Sequence, residues 1–170
     1  MMRKRQARND SAAATETAPG EGRRGAEGHI GYLLRQAQGA FRLAGDATLA
    51  GLGLTLPQFG LLTLLGAYGP LSGAALARLT LQTPQTVDAV LKNLVRAGLV
   101  ARTPDPRHGR IRAAALTGAG QARLAAAKRR INRLERRILK HLSRPEERIV
   151  RGWLAAVARD LLRRTLASRA

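Results

Sequence analysis

The sequence predicts a mainly α-helical fold with a small β element (α+β), and three observations predict it. Apolar residues recur at helical spacing through most of the chain from His29 onward. Capping residues and Gly/Pro breakers divide that pattern into separate helices. Residues 99–117 behave differently. LVARTPDP alternates and breaks at two prolines, RHGR follows, and IRAAALT resumes, which predicts two short strands around a Pro/Gly/Arg-rich tip.

The chain opens on a tail, residues 1–27, of Arg, Lys, Ala, Thr, Glu, Pro and Gly without period. Such a composition cannot bury a core, so the tail is expected to be disordered. From His29 to about Gly51 the positions Ile30, Leu33, Leu34, Ala37, Phe41 and Ala44 form a helical stripe, loosened at its end by glycines. Thr55 and Gln58 spell a T-x-x-Q capping box for a second helix, with Phe59, Leu62 and Leu65 facing inward and Gly69-Pro70 as the stop. A short helix capped by Ser72 follows, with Leu76 and Leu79 expected inward.

After a brief turn at residues 80–82, the most informative stretch begins, TPQTVDAVLKNLVRAGLV, residues 83–100. Val87, Val90, Leu91 and Leu94 make one apolar stripe, Thr83 can cap the N-terminus, Pro84 sits in the tolerant first turn, and Gly98 can supply a left-handed stop. The opposite face carries Gln85, Asp88, Ala89, Lys92, Asn93 and Arg96, with no large apolar side chain. Amides and short polar groups on such a face can reach base edges in a major groove, and an ordinary solvated face would look the same. Two short, tightly joined helices with a polar second member predict a helix-turn-helix, and the hairpin directly after it predicts a wing. The tip, residues 102–112, holds four arginines, one histidine and one aspartate.

Thr117 then caps a long helix with the stripe Leu124, Ile131, Leu134, Ile138 and Leu142. Its other faces carry Arg123, Lys128, Arg129, Arg130, Arg133, Arg136, Arg137 and Lys140 against Glu135 alone. Like charges at i, i+3 and i+4 cost a helix a few tenths of a kcal/mol each, roughly, which points to an acidic partner or DNA-facing surface, or simply to a solvated helix. Ser143 and Glu146 form a second capping box, and Val150, Trp153, Leu154, Val157 and Leu161 line the last helix, widened by Leu162 and Leu166.

Composition narrows the function. The 170 residues carry 30 Lys+Arg against 11 Asp+Glu, a net charge of +19, which implies an anionic partner, nucleic acid first. No run of 18 apolar residues and no secretory h-region occur, so the expectation is a cytoplasmic protein without a membrane partner. The absence of cysteine excludes disulfides, thiolate metal sites and thiol redox sensing. His29, His108 and His141 lack metal-ligand spacing, so no metal and no cofactor is expected. Three per cent aromatics argue against a base-stacking single-strand binder. No nucleophile–base–orienter set or phosphate loop is present, so an enzyme is not expected.

The order of elements, with LTLPQFGLLTLL (54–65), GPLSGAALARL (69–79), TPQTVDAVLKNLVRAGLVAR (83–102) and LTGAG (116–120), resembles the MarR family of bacterial transcriptional regulators over about residues 29–165. The resemblance implies a winged helix-turn-helix with N- and C-terminal helices forming a dimerisation lobe. Residues 28–54 and 117–170 are then the helical dimerisation lobe, and residues 55–116 the DNA-binding lobe. It implies a homodimer reading both halves of a pseudo-palindrome, in many members released by a small aromatic or phenolic ligand.

Carried over by position, Thr83, Pro84, Gln85, Thr86, Asp88 and Ala89 face the major groove, with Lys92 and Asn93 on the same surface. Arg110 matches the family's wing arginine, flanked by Arg107 and Arg112. The chain departs from the pattern at His108, where the family often has an acid, at Gly109, where it usually has arginine, and at Ala89, often basic. The expected function is a sequence-specific double-stranded-DNA-binding regulator, most simply a repressor. The alternative is an effector-independent architectural or nucleoid protein on the same scaffold, which the charge of +19 also fits.

Overall fold

The computed structural model describes residues 20–104 and 112–167. By its internal contacts the chain divides into two units, residues up to Leu43 and residues from Ala44 onward. The helices are α1 (Ile30–Leu49), α2 (Leu56–Tyr68), α3 (Gly73–Thr80), α4 (Pro84–Arg96), α5 (Gly118–Leu139) and α6 (Arg144–Ala167), and the strands are β1 (Leu71–Ser72), β2 (Val100–Pro104) and β3 (Arg112–Leu116). No single helix among the described residues is long and apolar enough to cross a membrane.

In the first unit a single 3-10 turn at Gly22–Arg24 precedes α1. The Arg35 guanidinium lies over the Tyr32 ring, 5.4 Å from its centre. Part of the residue 1–27 tail therefore has local structure, and residues 1–19 lie outside the described residues.

The core belongs to the second unit. Leu49, Leu62, Leu76, Val87, Leu91 and Leu94 are its largest fully buried side chains, joined by Leu61, Leu65, Leu99, Val100, Leu124 and Ile131. Among the described residues no polar or charged side chain is buried. Burying each of these leucines stabilises the fold by roughly 1.5–3 kcal/mol, so apolar packing dominates here.

Local chemistry sets the helix starts. Thr55 accepts from the Gln58 backbone N–H, and the Gln58 side chain accepts from the Thr55 N–H at 2.9 Å, completing the capping box. The Leu56 N–H donates to the Asp46 carboxylate at 2.6 Å, which satisfies another first-turn amide and ties α2 to the end of α1. The hydroxyls of Ser72, Thr83 and Thr117 accept from Ala75, Thr86 and Gly120 N–H groups. Ser143 and Glu146 close the last box. Arg123 donates to the Leu52 carbonyl and Arg130 to the Thr48 carbonyl at 3.3 Å, so two of the α5 cations staple that helix to the end of α1 and the turn after it.

The sequence predicts two strands, and the sheet has three, antiparallel, in the order β1-β3-β2. Leu71 and Ser72 pair with Ala114 and Ala113, while Val100–Pro104 runs opposite Leu116–Arg112. Leu79 is expected inward but is 48% exposed. With only eight residues, α3 turns Leu76 and Ala77 to the core instead.

Leu81, between α3 and α4, is left-handed, with φ 55 and ψ 34. A Cβ in that region costs about 1–2 kcal/mol, and the side chain is 61% exposed, so burial offsets little of it. Leu81→Gly is expected to raise stability by about 0.5–1 kcal/mol, the balance of strain released against backbone entropy lost, visible as a higher melting temperature.

Candidate nucleic-acid interface

The polar face of α4 begins at its cap. Thr83 Oγ1 lies 2.8 Å from Thr86 Oγ1 and accepts from the Thr86 N–H, so the two hydroxyls are held as a pair at the positive end of a 13-residue helix. Pro84 pre-sets the first turn. Gln85 stands beside the pair, exposed, and its amide has no partner among the described residues. Ala89, one turn further on, is exposed and leaves room beside that amide. The buried stripe Val87, Leu91 and Leu94 fixes this face outward.

Further along, the structure ties the helix to the wing. The Asp88 carboxylate takes Lys92 Nζ at 2.9 Å and Arg102 Nη2, from β2, at 2.9 Å. Asp88 is thus the link that orients two cations, rather than a free acceptor for a base. Asn93 is bonded through its side-chain oxygen to Arg96. Lys92, Val95, Arg96 and Arg102 line a shallow groove of about 360 Å³ between α4 and β2. Three cations in one groove suit a phosphate better than a base.

Arg96 and Arg102 were legible only as members of a polar face and a basic tip, and not as one cluster. The signal for the cluster is the acid at Asp88 one helical turn before Lys92, but the 14-residue reach to Arg102 requires the fold. Arg112 is exposed at the outer end of β3, opposite Pro104. Arg107 and Arg110 lie outside the described residues.

The hydrogen bond from Lys92, with the charge of Arg102, holds the Asp88 carboxyl below its ordinary value of 3.8. A lowered folded-state pKa means that the linkage is fully present above that ordinary value and is lost as pH falls through the folded one. Asp88→Asn is therefore expected to flatten the acid dependence of stability below about pH 4, as read by denaturation at pH 3 and pH 7. At pH 7 the same substitution should strengthen binding to duplex of any sequence, since it removes an anion beside three phosphate-seeking cations.

A capped helix with a free amide on its first turn, backed by a short helix and flanked by a basic two-stranded wing, defines a winged helix-turn-helix DNA-binding protein. The sequence model of the MarR family matches residues 52–111. The HTH-type transcriptional repressor Rv2887 of Mycobacterium tuberculosis is 37% identical over 131 residues, 77% of this chain and 94% of that protein. The chain belongs to the MarR family.

Among solved structures, a probable transcriptional regulator from Pseudomonas aeruginosa is similar with TM-score 0.68 and 34% identity, over 77% of this chain and 98% of that one. Rv2887 has been solved with DNA, TM-score 0.62 and 36% identity over 76% of this chain and 97% of that one. It has also been solved with salicylic acid, TM-score 0.61 and 36% identity over 76% and 96%.

Proposed function

We propose that the protein is a homodimeric, sequence-specific repressor that binds double-stranded DNA and is released by a small aromatic acid. The observation that carries this is the exposed first turn of α4, where Gln85 is unpartnered beside the Thr83–Thr86 pair. The likeness to a repressor solved both with DNA and with salicylic acid supports it. In this reading Gln85 meets a base edge, while Thr83, Pro84, Thr86 and Ala89 line the same groove. Asp88 aligns Lys92 and Arg102 toward phosphates, and Asn93 holds Arg96 beside them. Arg107, Arg110 and Arg112 belong to the wing, with Arg110 in the minor groove, where narrow A·T-rich sequence attracts a guanidinium. The activity is binding, and no residue is assigned a catalytic step.

We assign residues 28–54 and 117–170 to dimerisation and residues 55–116 to DNA binding. Trp153 is 43% exposed and Leu161 60% exposed on α6, alongside Ile149, Val150 and Leu154, an apolar face that a second copy would cover. In solution at micromolar concentration the protein is expected at twice its chain mass, and a monomer would contradict the dimer. Fluorescence anisotropy with duplex DNA tests the rest. Affinity for a preferred site should exceed that for random duplex by a factor of about 10³ or more at physiological salt, and millimolar salicylate should lower it. Equal affinity for both would favour the architectural role. Affinity unmoved by salicylate would remove the proposed effector class.

A further inference from the structure

The C-terminal half of α5 carries a second cationic surface that the recognition helix does not use. At about 100° per residue, Arg129, Arg133, Arg136 and Lys140 fall within roughly 60° of arc, directly opposite the stripe of Leu124, Ala127, Ile131 and Leu134. All four are exposed, and none has an ion-pair or hydrogen-bond partner among the described residues. Their spacing of three and four residues stacks them as like-charged neighbours over about 16 Å of helix. The neighbouring cations are differently disposed: Arg123 and Arg130 staple the helix to backbone carbonyls. On α6, Arg151 is neutralised by Glu147 at 2.7 Å and Arg163 by Asp160 at 2.8 Å.

What it faces follows from the other residues on the same side of the helix. Ala122, Ala125, Ala126 and Asn132 share that face, so it has neither the large apolar side chains of a membrane-surface helix nor the aromatic platforms of a single-strand binder. A second copy of the chain, with 30 Lys+Arg against 11 Asp+Glu, is on balance repelled by the stripe. Regularly spaced cations on a face without large apolar side chains fit the sugar-phosphate backbone of duplex DNA, which needs charge but no specific readout. Helix α2 packs against α4 and also against the apolar side of α5, so the stripe is turned away from α4. We propose that Arg129, Arg133, Arg136 and Lys140 form a sequence-independent site for a second DNA segment, so that the protein bridges two duplexes.

The test uses the full-length protein, a short duplex immobilised on beads, and a second, fluorescent duplex of random sequence. Wild type is expected to retain the second duplex. The variant R129Q/R133Q/R136Q/K140Q should lose at least about tenfold of that retention, while its affinity for a single short duplex falls less than about threefold. Four phosphate contacts would also contribute about 3–4 units to the log–log salt slope of second-duplex capture, and the variant should lose them. A control with the same loss of charge on α6, R144Q/R148Q/R151Q/R164Q, should keep the second duplex. Glutamine is a good helix former, and unchanged circular dichroism confirms the fold of both variants. Equal loss in the two variants, no loss in either, or equal loss of first- and second-duplex binding in the stripe variant would each overturn the site. Because the second duplex is random, the result stands whether or not the protein prefers a particular sequence.

Discussion

Replacing Gly120 with alanine is expected to destabilise the protein by about 2–3 kcal/mol, although alanine is the better helix former. Gly120 sits in the first turn of α5, where its N–H donates to the Thr117 hydroxyl at 3.0 Å. A Cβ there would lie 2.0 Å from the Leu99 carbonyl oxygen, 3.0 Å from the Leu99 carbonyl carbon and 3.3 Å from Leu116 Cδ2. That oxygen cannot easily retreat. It accepts from the Thr117 N–H at 3.1 Å, and Leu99 N–H is bonded to the Leu94 carbonyl at 3.0 Å. Val100, the next residue, is already paired with Leu116 in the sheet. The junction of α4, β2 and α5 would have to open, and that outweighs the gain of about 1 kcal/mol that alanine brings to a helix. A fall in melting temperature of roughly 5–10 °C follows for a chain of this size. Gly118→Ala is the matched control: a Cβ at Gly118 meets nothing within 4 Å, so that variant should melt no lower than wild type. Equal melting of the two variants would refute the close approach.

Gln85→Ala is expected to weaken base preference at the position it reads while leaving general DNA affinity nearly intact. A glutamine amide can form two hydrogen bonds to an adenine edge, worth about 1–3 kcal/mol of discrimination, or about 5- to 150-fold. Gln85 can make them because its amide has no competing partner, unlike Asn93, which is held by Arg96. The nearby cations Lys92, Arg96 and Arg102 are untouched, so binding to random duplex should change less than about twofold. Competition titrations with the preferred site and with random duplex separate the two quantities. An equal drop on both would show that Gln85 does not read a base.

What the sequence revealed and what it hid divide along physical lines. The starts of α2, α4, α5 and α6 were legible because a cap is chemistry between residues three apart: Thr55 with Gln58, Thr83 with Thr86, Thr117 with Gly120, Ser143 with Glu146. The buried stripe of α4 was legible because 13 residues are long enough for a period to show. Strand β1 was not, since two residues cannot alternate, and its existence depends on β3 arriving from more than 40 residues away. The left-handed Leu81 carried no signal because its type is wrong for that conformation, and only the packing of α3 on α4 imposes it.

Of the candidate interface, Thr83, Gln85 and Lys92 could be placed from helical phase alone. The role of Asp88 as a link to Arg102 needed the wing folded back beside α4. The apolar stripe of α6 and the late stripe of α5, with Ile138 52% exposed, stay uncovered among the described residues, and the proposed dimer would cover them.

Selection of bound sequences from a pool of random duplexes tests the central claim most directly, that this is a dimeric reader of DNA sequence. The expected result is an inverted repeat whose half-site centres lie about one helical turn, roughly 34–36 Å, apart, because two α4 helices related by a two-fold axis must enter successive major grooves. Repeating the selection with the Gln85→Ala protein should weaken one position in each half-site and leave the spacing unchanged. A pool that stays random after repeated rounds, or converges on a sequence without two-fold symmetry, would contradict it.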